Sequence, residues 1–566
     1  MEVKLNEPYT LLPHQVKTLE WMKKRENLPS DQTWGVRGGM VSLQMGLGKT
    51  LIALYHTMSS PKSPDKFPTL IVASKTVLTE WKSQGVEKFF AGETFGEEPS
   101  ATPIKALFIH KDYIGETRMK SLTRANILKY DIVLTTYDVC LSACRKGKHQ
   151  KSCLELGEDN TLMKGKIVAI HEKTRGIADN PKLTGIEVIY GTPWHRVFCD
   201  ESQRFCNPNT ILYKCMMAIY GRYKWCITGT PIRNYDTDIW TQLRWMGYNG
   251  CKTATGWCRN GEKLFVSHKL DEVIFSMNYE QAEIVLPEKT VHSQPTPFLT
   301  KEEKDIYQFV LDKTMKSYSK MMAGEVSFAC VLAWFLRLRQ ASIAPYLLVK
   351  ESKRGNEKKK DEEDDHKAFE TDAVYKFCHD KQSTAGIQST RMKLIMKILK
   401  SIPPNEKVII FSMFTSAIDL LSDALDEFMP DYPYVQMDGD TDNSERITIL
   451  KNFREGKKDI RAMLMTYKVG SEGINLTEAT HCILMEPWWC PAVHSQAVAR
   501  IHRSGQKEPV HVYQLITQGT IELKVLEICD NKIEMASKYL DPSEMKELPN
   551  GKGLNKFMMG EILGFN

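Results

Sequence analysis

The chain has 566 residues, of which 42% are hydrophobic and 26% are charged, a balance that is ordinary for a soluble globular protein of two to four domains. Its 76 basic and 70 acidic residues give a formal net charge of +6, which permits a polyanionic partner without requiring one. No apolar stretch approaches the roughly 18 residues that a membrane span needs, so the sequence argues against a membrane segment.

The cysteines argue against a disulfide framework. All 14 are scattered without paired spacing, and several lie inside apolar runs such as Val197-Phe198-Cys199. They are therefore predicted to be reduced interior thiols. The polar start, Met1-Glu2-Val3-Lys4, lacks the charged and apolar regions of a secretory leader. We expect an intracellular protein.

Short apolar runs alternate with helical segments along the chain. The runs with a strand composition are Leu70–Ala73, Asp131–Leu134, Val197–Cys199, Val408–Phe411 and Cys482–Met485. Such alternation is typical of an α/β fold in which parallel sheets are covered by helices on both faces. The runs form two series, so we expect two lobes.

The boundaries between these lobes are predicted from composition. Residues 1–248 form the first lobe, with an insertion at about 141–193 that is poor in periodic apolar positions. Residues 249–388 form a protrusion and an interlobe linker, whose segment Glu351–Lys367 is almost entirely charged and therefore solvated. Residues 389–526 form the second lobe, and residues 527–566 a tail or brace.

A glycine loop near the start of the chain predicts a phosphate site. Gly38 to Leu54 has the composition of a strand, a glycine loop and a helix start, which directs backbone N–H groups and a helix N-terminus at an anion. The loop and its first helical residues are Met45, Gly46, Leu47, Gly48, Lys49 and Thr50. Lys49 is expected to contact the β- and γ-phosphates, and Thr50 to bind magnesium. Leu43 breaks the strict phosphate-loop pattern, so an ordinary glycine turn is the alternative.

An acidic pair downstream favours the catalytic interpretation of this loop. Asp200 and Glu201 follow the apolar strand at Val197–Cys199. Asp200 is expected to bind magnesium, and Glu201 to orient and deprotonate the attacking water. A solvated turn is the alternative for an acidic pair alone. Together with Lys49, the pair predicts a site for ATP and Mg²⁺.

At this point the sequence resembles the Swi/Snf-like ATPases, the double-stranded DNA translocases of helicase superfamily two. The resemblance runs from Leu11 to about Leu526. Beyond the two sites above, the matching blocks in order are Leu11–Gln15, Thr228–Asn234, Leu336–Gln340, Ile410–Thr415, Met437–Thr441, Thr466–Leu476 and Gln496–Gln506. The resemblance implies two RecA-like lobes with helical protrusions and insertions.

The resemblance also implies residue roles around ATP. Gln15 would read the adenine edge. The residues that would couple hydrolysis to movement are Gln203, Thr228, Gly229, Thr230 and Gln496. Arg500 and Arg503 lie three positions apart, which on one helix face would let both reach the γ-phosphate from the opposite lobe. ATP would then close the cleft between the lobes, and hydrolysis would reopen it. A solvated arginine pair is the alternative.

Family members grip DNA phosphates with loops at strand ends, and the corresponding residues are Lys75, Thr76, Thr135, Thr136, Ser412, Thr415, Thr466, Lys468, Asn475 and Trp489. Phosphate contacts set position and affinity without reading bases, so little sequence preference is expected. For each threonine a strand-end cap is the alternative. Trp489 could instead pack in the core, and the resemblance does not explain its neighbour Trp488.

Several positions depart from the family pattern. Leu43-Gln44 stands where the family usually has Asp-Glu, and Ser202-Gln203 where it commonly has Ala-His. Separately, Cys140, Cys144, His149 and Cys153 have a spacing near that of a zinc knuckle. Buried thiols and a solvated basic loop are the favoured interpretation, and zinc is the alternative.

The sequence thus predicts an ATPase that moves on double-stranded DNA and remodels DNA–protein complexes, linked to chromatin, repair or transcription. Nucleosomes or transcription machinery are candidate partners, targeting is expected to need other proteins, and no membrane is involved. The expected location is the nucleus or, for a viral protein, the virion or viral factory. The alternatives are a strand-separating DNA or RNA helicase and a nucleic-acid-binding scaffold with a weak ATP site.

Overall fold

The computed structural model describes residues 3–29, 32–59, 67–90, 103–146, 183–233, 235–348, 389–455, 460–470, 474–540 and 556–563. The chain divides into two compact units, which consist mainly of Met1–Val285 and Leu286–Ile533. The charged segment Glu351–Lys367, most of the proposed insertion, and the zinc candidates His149 and Cys153 lie outside the described residues.

A seven-stranded, all-parallel sheet forms the centre of the first unit, with strand order β3-β4-β2-β5-β6-β1-β7. Its strands are β1 (Gly38–Leu43), β2 (Thr69–Ala73), β3 (Ala106–Ile109), β4 (Ile132–Thr136), β5 (Trp194–Asp200), β6 (Gly221–Thr228) and β7 (Ile274–Met277). Leu70 and Val72 of β2 pack into one hydrophobic cluster, and Ile71 and Ala73 into another. The sheet is therefore covered on both faces, as its apolar strands predict.

The helices of the first unit are α1 (Pro13–Asn27), α2 (Lys49–Ser59), α3 (Lys75–Glu80), α4 (Glu87–Phe89), α5 (Lys111–Lys120), α6 (Arg124–Ile127), α7 (Tyr137–Lys146), α8 (Ile211–Ala218), α9 (Thr237–Met246) and α10 (Ala254–Ser267). A π-helical turn covers Trp81–Val86, and 3-10 turns cover Gly185–Ile189, Ser202–Phe205 and Leu270–Val273.

The structure corrects the protrusion proposed to begin at residue 249. Helix α10 buries Trp257 and Phe265 in the core of the first unit. Strand β7 then pairs in parallel with β1, next to the phosphate loop. The segment belongs to the first unit because its apolar side chains fill that core and its backbone extends that sheet.

The proposed insertion at 141–193 is also shorter than its sequence suggested. Helix α7 continues the chain from β4 and buries Cys140 and Cys144. At the other end, Val188, Ile189 and Tyr190 are buried in the same hydrophobic cluster. Both flanks are therefore part of the core, although their apolar positions follow no simple period.

The second unit contains a six-stranded parallel sheet with order β10-β11-β9-β12-β13-β8. Its strands are β8 (Lys289–Thr296), β9 (Val408–Ser412), β10 (Tyr434–Met437), β11 (Ala462–Thr466), β12 (His481–Leu484) and β13 (Val510–Thr517). The α/β class and the two parallel sheets predicted from sequence are confirmed.

The helices from residue 301 onward are α11 (Lys301–Met322), α12 (Phe328–Ile343), α13 (Thr390–Ser401), α14 (Thr415–Phe428), α15 (Asn443–Glu455), α16 (Tyr467–Gly470), α17 (Pro491–Val498), α18 (Glu522–Leu540) and α19 (Lys556–Leu563), with a 3-10 turn at Pro345–Leu348. Helix α18 runs through the boundary proposed at 526/527. Across the described residues, no helix combines the length and apolarity of a membrane span.

A buried ion pair ties several of these elements together. Arg391 of α13 donates to Glu522 of α18 at 2.6 Å, and both side chains are almost fully buried. Glu522 also accepts from Ser342 of α12 at 2.7 Å and from the backbone of Thr517 in β13 at 2.8 Å. Removing one charge would leave the other buried without its partner, which is costly.

Candidate active site

The phosphate loop lies between β1 and α2, as predicted. Gly46 and Gly48 adopt positive φ values of 90° and 81°, a conformation that other residues adopt only with strain. Helix α2 begins at Lys49, so its first N–H groups lie at the end of the loop. The loop therefore has the backbone of an anion-binding site.

The beginning of α1 packs against this loop. A Cβ atom added at Gly48 would lie only 2.3 Å from Nε2 of Gln15, so the glycine is needed for the close approach. The neighbouring His14 places Nε2 3.0 Å from the carbonyl oxygen of Leu47. Gln15 therefore lies beside the phosphate loop.

The backbone of the loop orients Lys49. Nζ of Lys49 donates to the carbonyl oxygen of Leu43 at 2.8 Å. Leu43 itself is the last, fully buried residue of β1, so its side chain belongs to the core while its carbonyl binds the lysine. This explains why leucine is accepted at a position where the strict phosphate-loop pattern has glycine.

Tyr279 is a loop contact that the sequence did not reveal. Its backbone N–H donates to the side chain of Gln44 at 3.0 Å, and its hydroxyl donates to the carbonyl oxygen of Met45. Gln44 thus uses its amide at a position where the family usually has glutamate. The contact spans more than 230 sequence positions, so no local pattern indicates it.

The Asp200 carboxylate ends β5 and is almost fully buried. Its Oδ2 accepts from the indole of Trp81 at 2.8 Å, and its Oδ1 accepts from the backbone N–H of Glu201 at 3.0 Å. Burial and the adjacent Glu201 carboxylate raise the pKa of Asp200 to about 6, although the Trp81 indole and the Lys49 ammonium favour the ionised form. Burial thus disfavours the ionised carboxylate, and the indole and the ammonium partly offset that effect.

Glu201 begins a hydrogen-bonded relay. Its backbone is left-handed at φ 50° and ψ 52°, which is strained for a residue with a side chain. Its carboxylate accepts from Nε2 of Gln203, which also donates to the Thr230 hydroxyl at 3.3 Å. The Gln203 carbonyl in turn accepts from the Thr228 hydroxyl at 2.7 Å. Gln203 thus links the acidic pair to the predicted coupling motif.

A second bridge joins the same two segments. The Ser202 hydroxyl donates to Gln242 at 2.6 Å, and Gln242 donates to the Pro231 carbonyl at 2.7 Å. All of these contacts are buried. A Cβ atom added at Gly229 would lie 3.6 Å from Nζ of Lys49, so the coupling motif also borders the phosphate loop.

The structure corrects the helix predicted for the two arginines. Helix α17 ends at Val498, and Arg500 and Arg503 follow it in turns. The carbonyl oxygen of Arg500 accepts from the backbone of Leu476 at 3.0 Å, outside the helix. Arg500 and Arg503 therefore do not share a helix face, and the prediction that they do is wrong.

Gln506 holds this arginine turn. Its Nε2 donates to the carbonyl oxygens of Thr477 and Ala479, both at 3.0 Å, and of Ile501 at 3.1 Å. The arginine turn is thereby fixed to the segment that precedes β12. Gln496 is buried on α17, and its backbone carbonyl accepts from Nε of Arg500 at 3.0 Å.

Family models match both units of the chain. The SNF2-related domain matches residues 14–347, and the helicase conserved C-terminal domain matches residues 390–505. The chain belongs to the SNF2-related family. It is accordingly an ATP-hydrolysing enzyme of the helicase type, which uses ATP with a divalent metal ion.

Individual relatives extend this similarity to nearly the whole chain. The putative helicase 172L of Invertebrate iridescent virus 6 is 46% identical, over 99% of this chain and 96% of that protein. The probable global transactivator of Orgyia pseudotsugata multicapsid polyhedrosis virus is 24% identical, over 97% and 94%. A solved structure, the Sulfolobus solfataricus SWI2/SNF2 ATPase core in complex with dsDNA, is 20% identical over 96% and 97%, with a TM-score of 0.37.

The strand-end residues of the first SNF2 unit fall into two groups. Lys75 is half-exposed at the start of α3 and pairs with Asp112 at 3.0 Å, with Thr76 half-buried beside it. Thr135 and Thr136 are buried, and their hydroxyls bond to the Ile109 carbonyl and the Val139 N–H. The Thr136 hydroxyl therefore caps the start of α7, and the Thr135 hydroxyl bonds to the neighbouring strand β3.

In the second SNF2 unit, Lys468 and Asn475 are exposed, and Thr415 is half-buried at the start of α14. Thr466 is buried at the end of β11. Ser412 is also buried, and its hydroxyl donates to the Glu486 carboxylate at 3.1 Å. The structure thus separates candidate residues that reach solvent from those that support the strand ends.

Trp489 packs against the hydrophobic core of the second unit and stacks on Trp488, with ring centroids 3.7 Å apart. The guanidinium of Arg339, from the Leu336–Gln340 block, lies 4.4 Å from the Trp488 ring centre and donates to the Pro487 carbonyl at 2.9 Å. Trp488, which the sequence left unexplained, is therefore a stacking surface for a buried arginine.

The donor set at the acidic pair suits magnesium. Mg²⁺ prefers oxygen ligands, and the Asp200 carboxylate and Thr50 hydroxyl supply them beside a phosphate loop. Among the described residues, no group of three or more His, Cys, Asp or Glu side chains forms a metal site. Cys140 and Cys144 lie in the core of the first unit, and burial raises the pKa of the Cys140 thiol, which disfavours the thiolate. The remaining zinc candidates lie outside the described residues.

Proposed function

We propose that this SNF2-related ATPase is a double-stranded DNA translocase that couples ATP hydrolysis to movement and remodels DNA–protein complexes. The observation that carries the proposal is the buried relay from Glu201 through Gln203 to Thr228 and Thr230. An enzyme that converts hydrolysis into a conformational change needs its hydrolytic carboxylate connected, here by hydrogen bonds, to a second motif.

The chemistry is assigned to residues of the site. Lys49 and the N–H groups at the start of α2 bind the phosphates, and Asp200 and Thr50 would hold Mg²⁺. When bound there, Mg²⁺ would neutralise charge on the transferred phosphate. Glu201 orients the attacking water and accepts its proton.

Arg500 and Arg503 complete the proposed chemistry. Guanidinium groups stabilise the charge that develops on the transferred phosphate, and two forked cations suit its equatorial oxygens. The rigid turn held by Gln506 restricts where these side chains can reach. We assign Gln496 to the support of this turn.

DNA contact is assigned to the strand-end side chains that reach solvent: Lys75, Thr76, Thr415, Lys468 and Asn475. Amino, amide and hydroxyl groups bind phosphate oxygens and set position without reading bases. Thr135, Thr136, Ser412, Thr466 and Trp489 are assigned a supporting role, because they are buried or packed in the core. Binding should therefore depend on salt and show little sequence preference.

The biological setting is proposed from the relatives. Two relatives that match over more than nine tenths of both chains are encoded by viruses, and one of them is described as a probable global transactivator. Action on viral or nuclear DNA inside the infected cell, linked to transcription, fits both descriptions. Protein partners would then supply targeting.

Steady-state ATP hydrolysis tests this proposal. The rate is compared with no nucleic acid, single-stranded DNA, duplex DNA, RNA and nucleosomes, using Lys49→Ala and Glu201→Gln as inactive controls. Duplex DNA should give the largest stimulation. Stimulation by RNA alone would contradict the proposal and favour the RNA-helicase alternative.

A further inference from the structure

A basic pocket lies at the edge of the first sheet opposite the phosphate loop. It has a volume of about 270 Å³ and is lined by Arg25, Glu26, Leu28, Arg37, Arg222 and Tyr223. Arg37 directly precedes β1, and Arg222 and Tyr223 open β6, so the pocket borders the amino-terminal ends of these strands. The phosphate loop follows the carboxyl-terminal end of β1.

Arg25 is the buried cation of this pocket. Its side chain is 5% exposed, and its Nε donates to the carbonyl oxygen of Gly38 at 3.1 Å. Its Nη2 is also buried, yet has no hydrogen-bond partner among the described residues. Glu272, which acts on Arg25 electrostatically, is itself exposed. A buried guanidinium with an unused donor is costly unless a ligand satisfies it.

Two further arginines surround Arg25. Arg37 and Arg222 are exposed, and neither forms an ion pair with any acidic side chain that the structure describes. The guanidinium of Arg222 lies 5.5 Å from the ring centre of Tyr223. This leaves three forked cations around one small cavity.

The acidic residue of the pocket is already neutralised. Glu26 accepts two hydrogen bonds from Arg196, at 2.7 and 2.6 Å, and one from the Trp225 indole at 2.9 Å. It lies within reach of His56 as well. The charges of Arg25, Arg37 and Arg222 therefore remain available to a ligand.

We propose that this pocket is a second anion site, which binds a small free phosphate compound. Guanidinium groups match the forked geometry of phosphate oxygens. The volume is near the lower end of the range for ligand sites, roughly 300 Å³, which favours a small ligand. Arg25 is recessed in a small cavity, which suits a compact anion better than a continuous polyanion such as duplex DNA.

Helix α1 connects this pocket with the phosphate loop. His14 and Gln15 touch the loop at the start of the helix, while Arg25 and Glu26 line the pocket near its end. Its 15 residues extend about 22 Å. An anion bound to Arg25 would thus contact the same helix, α1, that packs against the phosphate loop.

Calorimetric titration with inorganic pyrophosphate tests the site, in magnesium-free, low-salt buffer and in a Lys49→Ala background that weakens the catalytic loop. One equivalent should bind. Adding Arg37→Ala and Arg222→Ala should weaken binding by at least about tenfold, because each removes charge-assisted hydrogen bonds. The matched control is Lys23→Ala with Lys24→Ala, which removes two exposed charges from α1 outside the pocket and should change affinity by less than about threefold.

A conservative pair separates geometry from charge. Arg37→Lys with Arg222→Lys keeps both charges but loses the forked donors, so it should bind more weakly than its parent. Absence of binding in the Lys49→Ala protein would overturn the proposal, as would equal losses in the arginine and lysine variants. Displacement of bound pyrophosphate by a duplex oligonucleotide would contradict the assignment to a small free anion. The proposed DNA translocation stands or fails independently of this titration.

Discussion

At Asp200, burial competes with two groups that stabilise the carboxylate. Burial and Glu201 raise its pKa to about 6, while the Trp81 indole and Lys49 oppose this rise. Magnesium binds the ionised form, so protons should compete with the metal as the pH falls below about 6. The indole therefore holds the carboxylate that we propose as a magnesium ligand and favours its ionised form.

Trp81→Phe should raise the pKa of Asp200 further, since it removes a donor that favours the ionised form. The loss of Mg²⁺ affinity on acidification should then begin at a higher pH, and affinity at pH 7 should fall. Magnesium titrations between pH 5 and 8 measure this. Trp194→Phe removes another buried indole, which bonds to the Ile189 carbonyl, and should leave the profile in place. Superimposable profiles for all three proteins would contradict the role of Trp81.

Gln203→Ala should lower kcat by about 5- to 100-fold, because it breaks buried hydrogen bonds to Glu201 and Thr228 that together contribute roughly 1–3 kcal/mol. The KM for ATP should change little, since the side-chain hydrogen bonds of Gln203 go to Glu201, Thr228 and Thr230 rather than to the phosphate loop. Gln203→His, the residue common in the family, should keep more of the activity. A kcat within twofold of wild type for Gln203→Ala would show that the relay is dispensable.

The sequence indicates the groups that we propose as catalytic, but not the residues that support them. Lys49 and Asp200 stand in short patterns whose chemistry is local. Trp81 bonds to Asp200 across 119 positions, and Arg339 bonds to Pro487 across 148, so neither contact leaves a periodic signal. Thr135 and Thr136 show the opposite case. The sequence suggested DNA contacts for their hydroxyls, but these hydroxyls form hydrogen bonds within the fold.

Among the elements, the arginine turn shows how a distant contact overrides local spacing. The three-residue interval between Arg500 and Arg503 suggested a helix, yet α17 ends at Val498. Contacts with Leu476 and with the Gln506 amide determine the turn, and their partners lie 20 or more positions away. Helix propensity alone therefore could not show where α17 ends.

Gln506→Ala should disorder this turn, because three carbonyl oxygens lose their donor. We expect kcat to fall by at least about tenfold, while the Kd for a fluorescent ATP analogue changes by less than about threefold, since the Gln506 amide bonds to carbonyl groups of the second unit and the phosphate loop belongs to the first. Lys507→Ala, which changes an exposed neighbour, is the matched control. An unchanged kcat in Gln506→Ala would separate the turn from catalysis.

The ion pair between α13 and α18 gives a stability prediction. Glu522→Gln should lower the free energy of unfolding by about 3–5 kcal/mol, because Arg391 is left buried without a carboxylate. Glu527→Gln alters an exposed residue of the same helix and should change it by less than about 0.5 kcal/mol. Urea unfolding followed by tryptophan fluorescence compares the two. Equal free energies of unfolding for the two variants would mean that the ion pair between Arg391 and Glu522 does not stabilise the protein.

On the scale of the whole molecule, the ordered blocks predicted two parallel-sheet units from sequence, and the sheets confirm them. Composition did not show the boundary between the two units. Strand β7 joins the first sheet through pairing with β1, more than 230 positions earlier in the chain, so composition around residue 249 gave no sign of it. The order of the motifs along the chain predicts the two-unit architecture. The boundaries of each unit depend instead on packing between residues that are distant in sequence.

We propose that hydrolysis at Lys49, Asp200 and Glu201 drives movement along duplex DNA. Triplex displacement measures this most directly, because a translocating enzyme strips a third strand without separating the duplex. The wild-type protein should release the third strand in an ATP-dependent manner, and Glu201→Gln should not. ATP hydrolysis stimulated by duplex DNA with no release of the third strand would contradict the claim.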